Sequence, residues 1–249
     1  MTHVIPTGTT RDSDYLFRRM ETETLAATRA GVGARVLDSA AGLGQDSRAL
    51  ARGGAHAFCA EPSRRMVELA KLVAAKEAKP ASGRVVWARA WSESLPFRTG
   101  SFDAAFCKGA LDHFDDPDAC IAELARVTRS DGRVVLAVAN FESLGCRLQR
   151  FGDRVRGRPT ANGRRTYHVP SDHFTRYDPR VLRAQVERHV EILELRGISL
   201  LWGVRRWARL LARLPEPWAT ACLRFADRIA ARFPGLSDVI VVAGRPRAR

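Results

Sequence analysis

The sequence predicts an α/β protein with a doubly wound, mostly parallel sheet, and three observations predict it. Seven short apolar runs with strand-like content recur along the 249 residues, and helical periodicity fills most of the gaps between them. The first run (Val36, Leu37) ends in Asp38 and is followed by Gly42, Gly44 and a helix-forming segment, a strand, tight turn and helix in series. Glycine lets the chain approach a ligand closely, and the helix start offers unpaired N–H groups.

Residues 1–11 hold Pro6, Gly8 and four threonines and read as a flexible lead-in. From Asp14 a helix is expected, with Leu16, Met20 and residues 25–27 near one face, Gly31 and Gly33 as its stop, and a place beside the glycine turn. The second strand, residues 57–60, leads to Glu61, nineteen residues beyond Gly42, where an acid in such a sheet accepts hydrogen bonds from ribose hydroxyls. Residues 64–78 are a helix capped by Ser63. Residues 84–90 and 103–107 are the third and fourth strands, with a loop over 91–102 between them. A helix over 118–129 turns at Asp131-Gly132 into a fifth strand, 133–138. Parallel strands send their ligands to their carboxyl ends, where Asp38, Glu61, Trp91 and Lys108 fall.

Beyond the fifth strand the character changes. Residues 141–177 form an arginine-rich loop or lid with one helical piece over 144–155. A helix over 180–188 and a sixth strand over 190–198 follow. Residues 201–235 are then a helical insertion with helices at 204–214 and 218–233, and residues 238–243 are a last strand, expected to be an antiparallel edge. Residues 1–140 and 178–249 together make one domain.

Composition narrows the function classes. Hydrophobic content of 45% and 8% aromatics fit a globular chain, no apolar run reaches the roughly 20 residues of a membrane span, and residues 1–30 lack a signal h-region. A cytoplasmic location is expected. The five cysteines are scattered and odd in number, so buried free thiols are expected rather than a disulfide or metal frame. The net charge of +14 is uneven: residues 141–249 carry 22 Arg, no Lys and 10 acids. That surplus fits a surface for phosphate, anionic lipid or RNA, and equally an arginine-rich coding bias, with 37 Arg to 4 Lys overall.

Taken in order, these residues resemble the class I S-adenosylmethionine-dependent methyltransferases of the small-molecule type, well over residues 14–138 and in outline over 174–246. The first motif of that family reads here as Asp38, Ala40, Gly42 and Gly44, and the ribose acid as Glu61. Leu95-Pro96-Phe97, Ser101-Phe102-Asp103, residues 110–114 with Asp116-Pro117, and RVTRSDGRVVLAV follow at family spacing. The resemblance implies a Rossmann-like seven-stranded sheet with an antiparallel last strand. It also implies S-adenosyl-L-methionine as cofactor, held by Asp38, Ala40, Gly42, Gly44, Glu61, Pro62, Met66, Trp91, Ser92 and Lys108, with Tyr15 and Arg19 near the methionine carboxylate. Two departures stand out. Ala40 replaces a glycine, tolerable where φ is negative, and Trp91 replaces an acid that reads adenine, leaving stacking to Trp91 and the edge to Ser92. A nicotinamide site is the competing motif, since Gly42, Gly44 and Ser47 give G-x-G-x-x-S, but residues 91–114 have no role in it.

Methyl transfer from a sulfonium asks the protein to align donor and acceptor in a dry cavity, with a base where the acceptor loses a proton. Family position makes His113 the base candidate, or else a structural histidine; Asp112 is a second polar group there. His168 and His173 are candidates to line the acceptor side, and no metal is expected, because that pair lacks further ligands. In the insertion, Val204, Trp207, Leu211 and Leu214, then Trp218, Cys222, Phe225 and Ile229, form apolar faces opposite arginine stripes. They suit a cap packed on the sheet, a lid over an apolar acceptor, or an interfacial surface. The expected function is methyl transfer to a small hydrophobic or aromatic metabolite, to oxygen ahead of carbon or nitrogen, with possible peripheral contact to anionic membrane or a lipid-like substrate. The alternatives are methylation of a transfer-RNA nucleotide and a non-catalytic cofactor-binding regulator.

Overall fold

The computed structural model describes residues 10–77, 82–157, 167 and 174–247. The chain runs α1 (Arg11–Thr28), β1 (Arg35–Ser39), α2 (Gln45–Arg52), β2 (His56–Ala60), α3 (Arg64–Ala74), β3 (Arg84–Ala88) and β4 (Phe102–Lys108). A 3-10 turn (Leu111–His113), α4 (Pro117–Val127), β5 (Thr128–Ala139), α5 (Leu144–Val155) and α6 (Pro179–Val186) follow. The chain ends with β6 (Val190–Ile198), α7 (Arg205–Arg213), α8 (Glu216–Arg232) and β7 (Val239–Pro246).

The seven strands form one sheet in the order β3-β2-β1-β4-β5-β7-β6. The pairs from β3 through β5 are parallel, and β7 is antiparallel to both of its neighbours. The last strand is therefore antiparallel but not an edge: it lies between β5 and β6, and its first six residues, Val239 to Gly244, are buried. A strand covered on both faces reads as a continuous apolar run, and VIVVAG is such a run.

Each sheet face carries a core. On one face α4 and α6 bury Ile121, Leu124 and Leu182 against Phe102, Leu136 and Val242; on the other α1 brings Leu16 and Met20 against Phe106 and Val135. Asp131-Gly132 is not a turn between helix and strand. β5 already begins at Thr128, and the residues around Gly132 are a register shift against β4, the extra length being absorbed as a bulge.

In the insertion only one of the two apolar faces packs inward as a cap. Helix α7 buries Leu211 and packs Trp207 and Leu214 inward, as its period suggests. Helix α8 instead buries Ala219, Leu223, Ala226 and Ala230 and leaves Trp218 and Phe225 exposed, at 68% and 65%. The reason is close approach: a Cβ added at Gly197 of β6 would lie 2.3 Å from the carbonyl oxygen of Ala230. Only a face of small residues lets that helix backbone come so near a strand.

Candidate cofactor site at the carboxyl edge of the sheet

The register of β1 with β2 and β4 brings Asp38, Glu61 and Lys108 to one edge. Between β1 and α2 the chain turns through three residues in the left-handed region: Ala40 at φ 57°, Gly42 at 53° and Gly44 at 67°. The condition under which an alanine is readily tolerated there, a negative φ, is thus not met. An L-residue in that conformation brings its Cβ close to the following carbonyl, at a cost of roughly 1–2 kcal/mol, so Ala40 holds strain that a glycine would not. Gly44 has a packing reason as well as a torsional one: a Cβ there would lie 2.7 Å from the Trp87 indole on β3. At Gly42 the nearest neighbour of such a Cβ is the Met66 methyl, 3.9 Å away, so half-buried Met66 lies over the turn.

Glu61 is buried and holds the turn from the next strand end. Its Oε2 accepts from the Gly42 N–H at 2.9 Å and its Oε1 from the Ser63 N–H at 2.9 Å. Two donors leave part of a carboxylate's roughly four lone-pair positions for other partners. Ser63 caps α3 through the Met66 N–H, as the sequence suggests, and Pro62 between them is half-buried.

Behind the turn lies a charged cluster that the sequence reading missed. The Ser47 hydroxyl donates to Asp38 Oδ2 at 2.8 Å, and Lys108 Nζ sits 2.7 Å from Asp46. Burial and then the Asp46 charge push the Asp38 carboxyl well above its ordinary value, against the Ser47 hydroxyl and the Lys108 charge, which pull it down. Lys108 is therefore a counter-charge to an acid in the first turn of α2. The available signal was an acid two residues after the last glycine, facing the lysine that ends β4.

The remaining predicted residues divide. Trp91 is 67% exposed in a short turn bridged to Ser94, and the Ser92 hydroxyl is buried, 2.8 Å from that of Ser39. Tyr15 and Arg19 face the insertion: Arg19 pairs with Asp227 at 2.9 Å and Glu23 at 2.5 Å, and Tyr15 packs with Leu211 and Leu223. Burial and then Asp227 raise the pKa of Tyr15. His113 is exposed in the 3-10 turn beside buried Asp112, whose carbonyl accepts from the Phe174 N–H at 2.7 Å. His168 and His173 lie outside the described residues. A groove of about 510 Å³ between α2, α3 and the start of β3 contains none of the predicted residues. Among the described residues no group of three or more His, Cys, Asp or Glu is placed to hold a metal ion, and the five cysteines are free thiols, four of them buried.

This geometry offers a ligand a carboxylate at the second strand end, a left-handed turn whose Gly42 N–H is already committed to Glu61, and a helix start at Gln45. Glu61 keeps acceptor positions for hydroxyl groups such as those of a ribose, and half-buried Met66 lies beside the turn.

Residues 37–136 match the family described as a methyltransferase domain. The chain is 36% identical over 124 residues to a demethylmenaquinone methyltransferase of Clavibacter sepedonicus, covering 50% of this chain and 47% of that one. It is 33% identical over 108 residues to a ubiquinone biosynthesis O-methyltransferase of Xanthomonas oryzae, covering 43% and 44%. The matches thus span about half the length of these curated relatives. The solved structure of the YcgJ protein of Bacillus subtilis superposes with a TM-score of 0.59 at 19% identity, over 93% of this chain and 100% of that one, a likeness of fold.

Proposed function

We propose, on the match of residues 37–136 to a methyltransferase domain, that the protein transfers a methyl group from S-adenosylmethionine to the oxygen of a small hydrophobic, aromatic metabolite. The observation that carries the cofactor half is Glu61: a buried carboxylate held by two backbone N–H groups at the second strand end, bonded to the glycine turn itself. That the acceptor is a small hydrophobic, aromatic metabolite is supported by the names of both relatives, a demethylmenaquinone methyltransferase and a ubiquinone biosynthesis O-methyltransferase, and transfer to oxygen by the name of the second alone.

When bound, the cofactor supplies an activated methyl on a sulfonium. The chain's own task is to hold and orient it. Glu61 accepts from the ribose hydroxyls, the left-handed turn and the start of α2 meet the methionine portion, and the Asp46–Lys108 pair keeps the charge behind the turn balanced. His113, exposed next to the end of β4, takes the proton of the acceptor hydroxyl. Arg19 is engaged by Asp227 and Glu23, so a role at the methionine carboxylate requires that it exchange partners.

The test has two arms. Calorimetric titration with S-adenosylmethionine should show Glu61→Ala weakened by roughly 1.5–3 kcal/mol, the value of a hydrogen bond to a charged group; an unchanged isotherm removes Glu61 from the site. Labelled methyl should appear in the lipid-soluble fraction of a cell extract, with His113→Ala losing most of that turnover; unaltered turnover in that variant removes His113 as the base. Label in bulk transfer RNA instead would select the RNA reading, and tight cofactor binding with no transfer would select the regulatory one.

A further inference from the structure

We infer that the face formed by α5 and α7 docks on an anionic membrane surface. Leu148, Phe151 and Val155 recur at spacings of three and four along α5 and are 51%, 66% and 70% exposed, one apolar stripe turned away from the core. Beside it a cavity of about 530 Å³ separates α5 from α7, with Leu148, Gly152 and Arg156 on one wall and Arg205, Arg206 and Arg209 on the other.

The charges of this groove are not spent on protein acids. Among the described residues, Arg156 donates to the Gly152 carbonyl and Arg209 to the Arg205 carbonyl, and no carboxylate pairs with either of them or with Arg205 or Arg206. The acid in the groove wall, Asp153, is buried and accepts from the Tyr167 hydroxyl at 2.9 Å. Arg150 and Arg176, by contrast, are bound to Glu142. Unpaired arginines next to an aliphatic and aromatic stripe complement a surface with anionic head groups over acyl chain. A free phosphate has no use for Leu148 and Val155, and nucleic acid is met by aromatic stacking rather than by aliphatic side chains.

The place of this face gives it a purpose. Ala139, which ends β5, and Ile198, which ends β6, both pair with Val239, so α5 and α7 leave the sheet from its carboxyl edge, the edge that carries the cofactor turn. A membrane seated there would deliver a lipid-soluble acceptor to that edge. This consequence rests on the methyl-transfer reading; the docking does not. Among the described residues no helix is long and apolar enough to cross a membrane, so the contact is peripheral.

The test is co-sedimentation of the full chain with vesicles of phosphatidylcholine alone or mixed with phosphatidylglycerol, with no cofactor added. Binding to the mixed vesicles, lost with added salt, is expected. The triple variant Arg205→Gln/Arg206→Gln/Arg209→Gln should bind at least about tenfold more weakly. Phe151→Ser/Val155→Ser, which leaves the charge unchanged, should also weaken binding by about tenfold or more. All these side chains are exposed, so both variants should retain the wild-type circular dichroism. No binding to mixed vesicles, equal binding to phosphatidylcholine alone, an unaffected Phe151/Val155 variant, or retention on transfer RNA but not on vesicles would each overturn the proposal. Vesicle binding without methyl transfer would leave it standing while removing the acceptor reading.

Discussion

The carboxyl edge of β1, β2 and β4 and the helical face of α5, α7 and α8 are both rich in charge, and they use it in opposite ways. At the first, the buried carboxyl groups around the turn have named partners: Asp38 takes Ser47, Asp46 takes Lys108, and Glu61 takes two backbone N–H groups. At the second, arginines stand in solvent beside exposed Leu148, Phe151 and Trp218. A buried charge without a partner is costly, so the first arrangement fixes a geometry. A solvated arginine stabilises the fold little and remains available to something outside it.

The sharpest way to break the contrast is to remove one partner at the buried edge. Lys108→Met leaves the Asp46 carboxylate, whose side chain is 8% exposed, without its cation and next to Asp38. A loss of about 3–5 kcal/mol is expected at neutral pH, and urea unfolding measures it. An unchanged midpoint would mean that this pair is as solvated as the surface arginines.

The second-largest effect lies where the two regions join. Asp238, at the start of β7, is almost wholly buried; its Oδ2 accepts from the Trp202 N–H at 2.9 Å. Burial pushes its pKa up from 3.8 to about 7, against the pull of Trp202, Ser199 and Ser143, while the nearby Asp12 charge adds to the rise. The folded state then binds the proton more tightly than the unfolded chain does. The associated stability is fully present below the unfolded pKa and is lost as pH rises through the folded one. Asp238→Asn keeps an uncharged acceptor for Trp202 and should abolish this residue's share of the decline, up to about 4 kcal/mol across that window. Melting temperatures measured along a pH series would show the variant falling less steeply than the wild type, the remaining decline belonging to groups such as Asp38; parallel curves would place Asp238 in solvent.

How far the sequence foretold each region follows from the same physics. The strand, glycine turn and helix were legible because their signals are local: an apolar run, left-handed positions and the Ser63 cap. Ser47, Asp46 and Trp87 were not, because their partners come from other elements and no period marks them. On α8 the period put Trp218 and Phe225 on an apolar face that suited a packed cap, a lid or an interfacial surface; contact with Gly197 requires small residues, and neither hydrophobicity nor spacing reports how near two backbones come. The place of β7 inside the sheet did have a signal, its uninterrupted apolar run, which outweighs the habit of reading a last strand as an edge.

The smallest expected effect tests the turn itself. At φ 57°, Ala40 pays the left-handed cost of an L-residue, whereas a glycine there is free of it but loses more chain entropy on folding. The balance favours Ala40→Gly by about 0.5–1 kcal/mol, read as a higher urea midpoint with an unchanged slope. Because Glu61 holds the same turn through Gly42, the relieved variant should bind S-adenosylmethionine at least as well as the wild type. A lower midpoint would mean that residue 40 is not left-handed in solution. Weaker cofactor binding with a higher midpoint would mean that the Ala40 methyl restricts the turn to its binding shape, which would make the strain at the buried edge a feature of the site and set it further apart from the relaxed arginine face.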